Sequence, residues 1–284
     1  MTTEAPGCLY VVATPIGNRD DLSARAAATL RAVAVIAAED TRHSRPLLLH
    51  HGIDTPLLAL HEYNERDAVD GLVGRLRAGQ SVALISDAGT PLVSDPGFRL
   101  VRAARAAGVR CVPVPGACAA VAALSVAGLP SDRFVFEGFL PPRPVARRGR
   151  LRELAGDTRT LIFYESSHRI AESLADLRDV FGGAREAVLA RELTKVFETV
   201  LGEPLDALAA RVAADPDQQR GECVVLVAGC GEEVDARLAE GRRIFAVLRE
   251  ELPPAKAARL AAALSGAPRK ALYAGGQPES EPGR

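Results

Sequence analysis

Two Ser-Asp pairs, Ser86-Asp87 and Ser94-Asp95, stand eight residues apart in Ser86-Asp87-Ala88-Gly89-Thr90-Pro91-Leu92-Val93-Ser94-Asp95-Pro96-Gly97, each followed by Gly and Pro. Such a stretch folds into a rigid loop offering carboxylates and main-chain groups to a ligand. The competing reading is paired turns in which each Asp caps its own backbone. A second group gathers acids and histidines: Glu39, Asp40, Arg42 and His43 in EDTRH, His61, Asn64 and Glu65 in HEYNE, and Glu165 in YESSH. A carboxylate or imidazole within hydrogen-bond reach of a hydroxyl can take its proton during a transfer reaction. Each also has a structural reading, an ion-paired corner for Glu39, Asp40 and Arg42 and a satisfied side chain for each histidine. The residues alone do not choose among them.

Two more loops complete the set. Thr14-Pro15-Ile16-Gly17-Asn18 holds one glycine, not the GxGxxG of a dinucleotide site, although Glu39 lies about where a ribose-binding acid would fall. Pro115-Gly116-Ala117-Cys118-Ala119-Ala120 is built of small residues that allow a flat ligand to approach closely. None of these loops carries the lysine of a P-loop. Acids, carbonyls and apolar contacts suit a ligand with a positive charge and a nucleoside rather than phosphates.

These loops need strands to hold them, and short apolar runs alternate with helical patterns to about residue 230, the signature of α/β layering with largely parallel strands. Expected strands are Cys8–Ala13, Val33–Ala38, Val82–Ser86, Val109–Val114, Phe134–Glu137, Thr160–Tyr164, Ala187–Ala190 and Cys223–Val227. Helical patterns include Asp67–Arg77, Phe98–Ala107, His168–Phe181 and Leu205–Ala213. Ligands in open parallel sheets lie beyond the strands' carboxyl ends, where the three loops fall. Pro115-Gly116 breaks the chain at a domain junction, giving α/β domains over 1–116 and 117–230. Beyond Glu232 strand signals vanish, leaving a small helical appendix over 231–284 with a Gly/Pro/Glu-rich end.

The composition of the 284 residues, 48% hydrophobic and 25% charged with a formal net charge of −1, fits a folded chain and excludes a uniformly basic nucleic-acid binder. Five scattered cysteines without a CxxC pair indicate neither a disulfide framework nor a metal site. No apolar stretch is long enough to span a membrane and Met1–Gly7 shows no signal pattern, so a cytoplasmic protein without membrane contact is expected. One local basic cluster stands out. Arg133, Arg143, Arg147, Arg148, Arg150 and Arg152 face only Glu137 within residues 133–152, a surface suited to phosphates or else a solvated helix face.

The ordered set LYVVATPIGN (Leu9–Asn18), AAEDTRH (Ala37–His43), ISDAGTPLVSDPG (Ile85–Gly97), VPGACAA (Val114–Ala120), GLPSDRFVFEGFLP (Gly128–Pro141), TLIFYESSHR (Thr160–Arg169) and LARELTK (Leu189–Lys195) resembles one family. It is the ribosomal RNA small subunit methyltransferase I family, within the tetrapyrrole methylase-like superfamily. One departure is Cys118, where relatives often carry serine. The resemblance implies two unlike α/β domains of the tetrapyrrole methylase type with S-adenosylmethionine in the cleft between them. It also implies a homodimer, and methylation of the ribose 2′-hydroxyl of a decoding-centre cytidine in the 16S rRNA of the small ribosomal subunit, without a metal. By position it implies cofactor contacts from Pro15, Ile16, Gly17, Asp87, Ala88, Gly89, Cys118 and Ala119, with Tyr164 and Leu193 from the second domain. Glu39, Asp40 and Glu165 are then the expected catalytic acids, and Arg42, His43, His61, Asn64, Arg143, Arg147, Arg148 and Arg150 the expected RNA contacts. The rivals are a small-molecule methylase of a tetrapyrrole or corrin precursor and an RNA-binding factor that kept the fold without catalysis.

Overall fold

The computed structural model of the chain describes residues 7–61, 65–231 and 233–273. Its Cα packing separates two units, Met1–Ser125 with Glu192–Thr199 and Val126–Arg191 with Val200–Arg284.

The first unit runs β1 (Leu9–Val12), α1 (Ala24–Ala32), β2 (Val35–Ala38), α2 (Thr41–His50), β3 (Leu57–Ala59), α3 (Glu65–Arg77), β4 (Val82–Ile85), α4 (Phe98–Ala106), β5 (Cys111–Val114) and α5 (Ala119–Val126). All strand pairs are parallel in the order β3-β2-β4-β1-β5, with Leu9 level with Val82 on one side and Cys111 on the other. Such strands read as continuous apolar runs because both faces are covered. Leu9, Val35, Ala37, Val82 and Leu84 pack under Leu72, Leu76, Leu100 and Ala104 of α3 and α4. Val12, Ile36, Ala38, Ala83 and Ile85 meet Ala26, Leu30 and Leu48 of α1 and α2. Ser23 and Asp40 start α1 and α2, their side chains accepting from the amides of Ala26 and Arg42. Five parallel strands put the loops after β1, β2, β3, β4 and β5 along one edge, the carboxyl edge.

The second unit runs β6 (Phe134–Phe139), α6 (Pro144–Leu154), β7 (Thr160–Ser166), α7 (Ile170–Phe181), β8 (Glu186–Arg191), β9 (Thr199–Pro204), α8 (Leu205–Ala214) and β10 (Glu222–Val227). Its sheet, ordered β6-β7-β10-β8-β9, is not largely parallel as the alternation suggested. Strands β6 and β7 are parallel, but β10 enters between β7 and β8 antiparallel to both. An inserted strand of this kind leaves the sequence alternation unchanged. Helices α6, α7 and α8 cover one face through Leu151, Ile170, Leu174, Leu177, Leu205 and Leu208.

Strands β3 and β9 are not among the expected ones. The first is three half-buried residues and the second, TVLGEP, alternates half-buried with exposed positions, so neither carries an apolar run. The break at 115–116 leads into α5, and the packing divides after that helix rather than before it.

Helices α9 (Glu233–Arg249), α10 (Pro254–Ser265) and α11 (Arg269–Tyr273) close on a core of Phe245, Ala257, Ala258, Ala261 and Leu272. Pro254 opens α10, where a missing amide costs nothing, and Gly266 ends it at φ +71°. Among the described residues no helix is long and apolar enough to cross a membrane.

Candidate active site

The loops after β1, β4 and β5 are stitched into one wall. Thr14 and Gly89 exchange both main-chain hydrogen bonds, at 2.9 and 3.1 Å, and the Thr14 hydroxyl donates to the Ser86 carbonyl at 3.2 Å. The Thr90 hydroxyl donates to the Ala117 carbonyl at 2.9 Å, tying the second loop to the third. Gly89 sits at φ +78°, and a Cβ there would press on Ile16 Cγ2 at 3.3 Å. Pro15 and Ile16 are buried beneath this wall, while Gly17 and Ala88 are exposed on it. Cys118 is half-buried, and its carbonyl accepts from Ala122 in the first turn of α5, which Ala119 opens.

The segment Glu192–Thr199 packs against the first loop. The Asn18 amide donates to the Thr194 hydroxyl at 3.0 Å, and a Cβ on Gly17 would meet Lys195 Cγ at 2.5 Å, Thr194 Oγ1 at 2.8 Å and the Leu193 carbonyl at 3.1 Å. The Leu193 carbonyl thus lies beside Gly17, and Leu193, expected from the second domain, packs with the first unit. Lys195 pairs with Glu192 at 2.8 Å. Glu192 and Thr194 hold φ of +51° and +67°, and Leu92 and Ser94 in the second loop hold +74° and +67°. Positive φ at non-glycine residues costs of order 1–3 kcal/mol each and gathers where geometry serves function.

Carboxylates converge at the same edge. The Asp40 amide donates to Asp87 Oδ1 at 3.0 Å, binding the end of β2 to the loop after β4. Burial and the nearby charges of Asp95 and Asp87 raise the Glu39 carboxyl above its ordinary pKa, partly offset by the Asp87 amide donating to it. Asp95 is pushed up to about 6, mainly by burial, with the Ser86 hydroxyl opposing and Asp87 adding. Asp40 behaves otherwise: hydrogen bonds from the Arg42 guanidinium and amide lower it to about 2. Arg42 and His43 are exposed on the first turn of α2, and His61 follows β3, the strand beside β2. Asn64 lies outside the described residues. Sequence reasoning missed Asp95 as a member of this group. The second Ser-Asp pair was visible, but its approach to Glu39 is set by the return of the loop. Among the described residues no group of three His, Cys, Asp or Glu side chains is placed to hold a metal ion.

In the second unit four of the expected site residues are already engaged by other side chains. Glu165, read as a catalytic acid, is 2% exposed. Its Oε1 accepts from the Ser166 amide and the Arg169 guanidinium and its Oε2 from the Ser173 hydroxyl, so both oxygens are engaged inside the unit. Arg147, read as an RNA contact, is 1% exposed and donates to Asp176 at 2.6 Å. Arg148 donates to the other Asp176 oxygen at 2.5 Å, and Arg150 pairs with Glu137 and Glu153 at 2.7 and 2.6 Å. The six-to-one charge count ignored acids that the fold brings in from α7. Arg143 is exposed at the start of α6. Tyr164 lies on β7 with its ring edge-on to Phe136 and Phe139, at 4.8 and 5.7 Å.

A doubly covered parallel sheet with bridged loops at its carboxyl edge, followed by a mixed sheet, defines a known class. Residues 8–209 match the family Tetrapyrrole (Corrin/Porphyrin) Methylases. Among solved structures, the methyltransferase CobJ superposes with TM-score 0.59 at 22% identity, covering 79% of this chain and 95% of its own. Uroporphyrin-III C-methyl transferase from Thermus thermophilus, complexed with S-adenyl homocysteine, gives TM-score 0.54 at 18% identity over 78% and 97%.

Residues 235–276 match the RsmI C-terminal HTH domain. Proteins named Ribosomal RNA small subunit methyltransferase I from Xylella fastidiosa and Pseudomonas aeruginosa are 62% and 60% identical, over 95% and 94% of this chain and 99% and 95% of theirs. That from Escherichia coli O157:H7 is 51% identical over 94% of this chain and 93% of its own. The chain belongs to the ribosomal RNA small subunit methyltransferase I family.

Proposed function

We propose that the chain methylates the ribose 2′-hydroxyl of a decoding-centre cytidine in 16S rRNA, with S-adenosylmethionine as donor and the small ribosomal subunit, in the cytoplasm, as substrate, working as a homodimer. The observation that carries this reading is the meeting of Glu39, Asp87 and Asp95 beside the bridged loops of the first unit. Carboxylates and main-chain groups without a basic phosphate cradle fit a cationic nucleoside. Pro15, Ile16, Gly17, Ala88, Gly89, Cys118, Ala119 and Leu193 supply apolar and main-chain contact, and Asp87 supplies negative charge.

When bound, the donor supplies an electrophilic methyl group on a sulfonium. The bridged loops would hold that group in line with the acceptor oxygen, and positioning of this kind can provide most of the acceleration. Glu39 would take the hydroxyl proton during the transfer. Its raised pKa makes it a better base than Asp40, which is held ionised by Arg42, or Glu165, whose oxygens are already occupied. Arg42, His43 and His61 flank the acceptor at the same edge, and Arg143 meets RNA phosphate.

Small subunits are incubated with donor carrying a labelled methyl group, and their nucleosides are then resolved by mass spectrometry. Label in 2′-O-methylcytidine is expected. Label on a base, or transfer to porphyrinoids alone, overturns the reading.

A further inference from the structure

The face of α4 that turns toward α3 carries a groove lined by Val69, Phe98, Arg99, Arg102, Ala103 and Ala106. Phe98, Arg102 and Ala106 succeed one another at four-residue intervals, so they share one helix face. Phe98 is 63% exposed, an unusual position for a phenyl ring, and Val69 and the two alanines make an apolar floor beside it. Arg99 and Arg102 are exposed along the rim, and α4 holds three arginines and no acid. An open apolar trough with a bare aromatic ring and a cationic rim complements a strand whose bases stack and whose backbone is anionic.

The groove also begins where the acidic group ends. Asp95 and Phe98 are three positions apart, a span of at most about 11 Å. Nucleotides lying in the groove are therefore a few positions from one presented to Glu39 and Asp95.

We propose that the α3–α4 groove binds single-stranded RNA flanking the methylated nucleotide, with one base stacked on Phe98 and a phosphate held by Arg102. This rests on the rRNA methyltransferase reading and adds a specific docking surface to it. The groove takes over the role that Arg147, Arg148 and Arg150 of α6 lose to ion pairs.

Binding of small ribosomal subunits, and of a single-stranded cytidine-containing RNA oligonucleotide, is measured for the full chain and for F98A, F98Y and R102A. F98A is expected to weaken RNA binding about 10-fold or more, and F98Y to restore it, because stacking needs only a ring. R102A should lower the slope of log affinity against log salt by about 0.7, one phosphate contact on a single strand. Donor affinity stays unchanged in all three. Wild-type RNA affinity in both F98A and R102A overturns the proposal while leaving the methyltransferase reading intact. A change of sedimentation in F98A also overturns it, since the groove would then be a contact between copies of the chain. If the unaltered protein binds neither probe, both readings fall together.

Discussion

The hydroxyl of Thr194 accepts a hydrogen bond from the amide of Asn18 at 3.0 Å, across 176 residues of sequence. Through it the short segment after β8 is fastened to the loop after β1, and the Glu198 carboxylate secures the segment in turn by accepting from the Thr194 amide at 2.6 Å. T194V removes the acceptor while keeping the shape. Because the bond is exposed, the loss of global stability is about 0.5–1.5 kcal/mol. The local effect is larger: faster hydrogen exchange at Asn18 and weaker donor binding by calorimetry are expected. Unchanged exchange at that amide would show that the fastening does not depend on this hydroxyl.

Glu39 and Glu165 separate under amide substitution. E39Q is expected to lower kcat by about 10²- to 10⁴-fold, the usual worth of a general base, with donor affinity little altered. Because the Glu39 pKa is raised, the wild-type rate climbs with pH as this carboxyl ionises, and E39Q loses that climb. E165Q instead disturbs the buried cluster with Arg169 and Ser173 and appears as a lower melting temperature. Equal kcat in E39Q and wild type removes Glu39 from the chemistry.

Asp95 makes stability depend on pH in an uncommon direction. It ionises at about 6 in the fold, above the range of about 3.9 for an unfolded chain. The folded state therefore holds this proton more tightly. The contribution is fully present below about pH 4 and is lost as pH rises through 6. D95N, which cannot ionise, should match wild type in acid and melt higher than wild type at neutral pH. A melting difference that does not vary with pH would contradict this assignment.

Asp176 holds α6 to α7 through two guanidinium groups. Burial pushes its carboxyl up, but Arg148 and Arg147 together outweigh that and keep it below the ordinary range. D176A leaves the buried Arg147 charge, whose Nη1 already has no partner, with the long 3.4 Å pair to the exposed Glu172, and should cost about 3–5 kcal/mol in urea unfolding. D179A, which breaks the exposed pair with Arg178, should cost less than about 1 kcal/mol. Replacing Arg147 and Asp176 together by apolar residues should recover much of the loss, since the pair itself is costly to bury.

The sequence by itself determined the layered α/β class, most strands and helices, and the loops proposed to carry the chemistry. Runs such as VALI and VIAA read directly as strands buried on both faces, TPIGN and SDAGTP as turns through their glycine and proline, and EDTRH as a cluster of acids and a histidine that the structure places at the start of α2. Only the tertiary structure decided which residues of those loops meet. The antiparallel entry of β10, the approach of Asp95 to Glu39, the return of Thr194 to Asn18 and the capture of Arg147 by Asp176 join positions far apart in sequence or set by the path of a loop. Local preference is written in neighbouring side chains, whereas pairing of charges depends on how packed layers bring distant segments together. An arginine-rich stretch thus looked like a surface until α7 supplied its acids, and a turn-forming aspartate became part of the acidic edge.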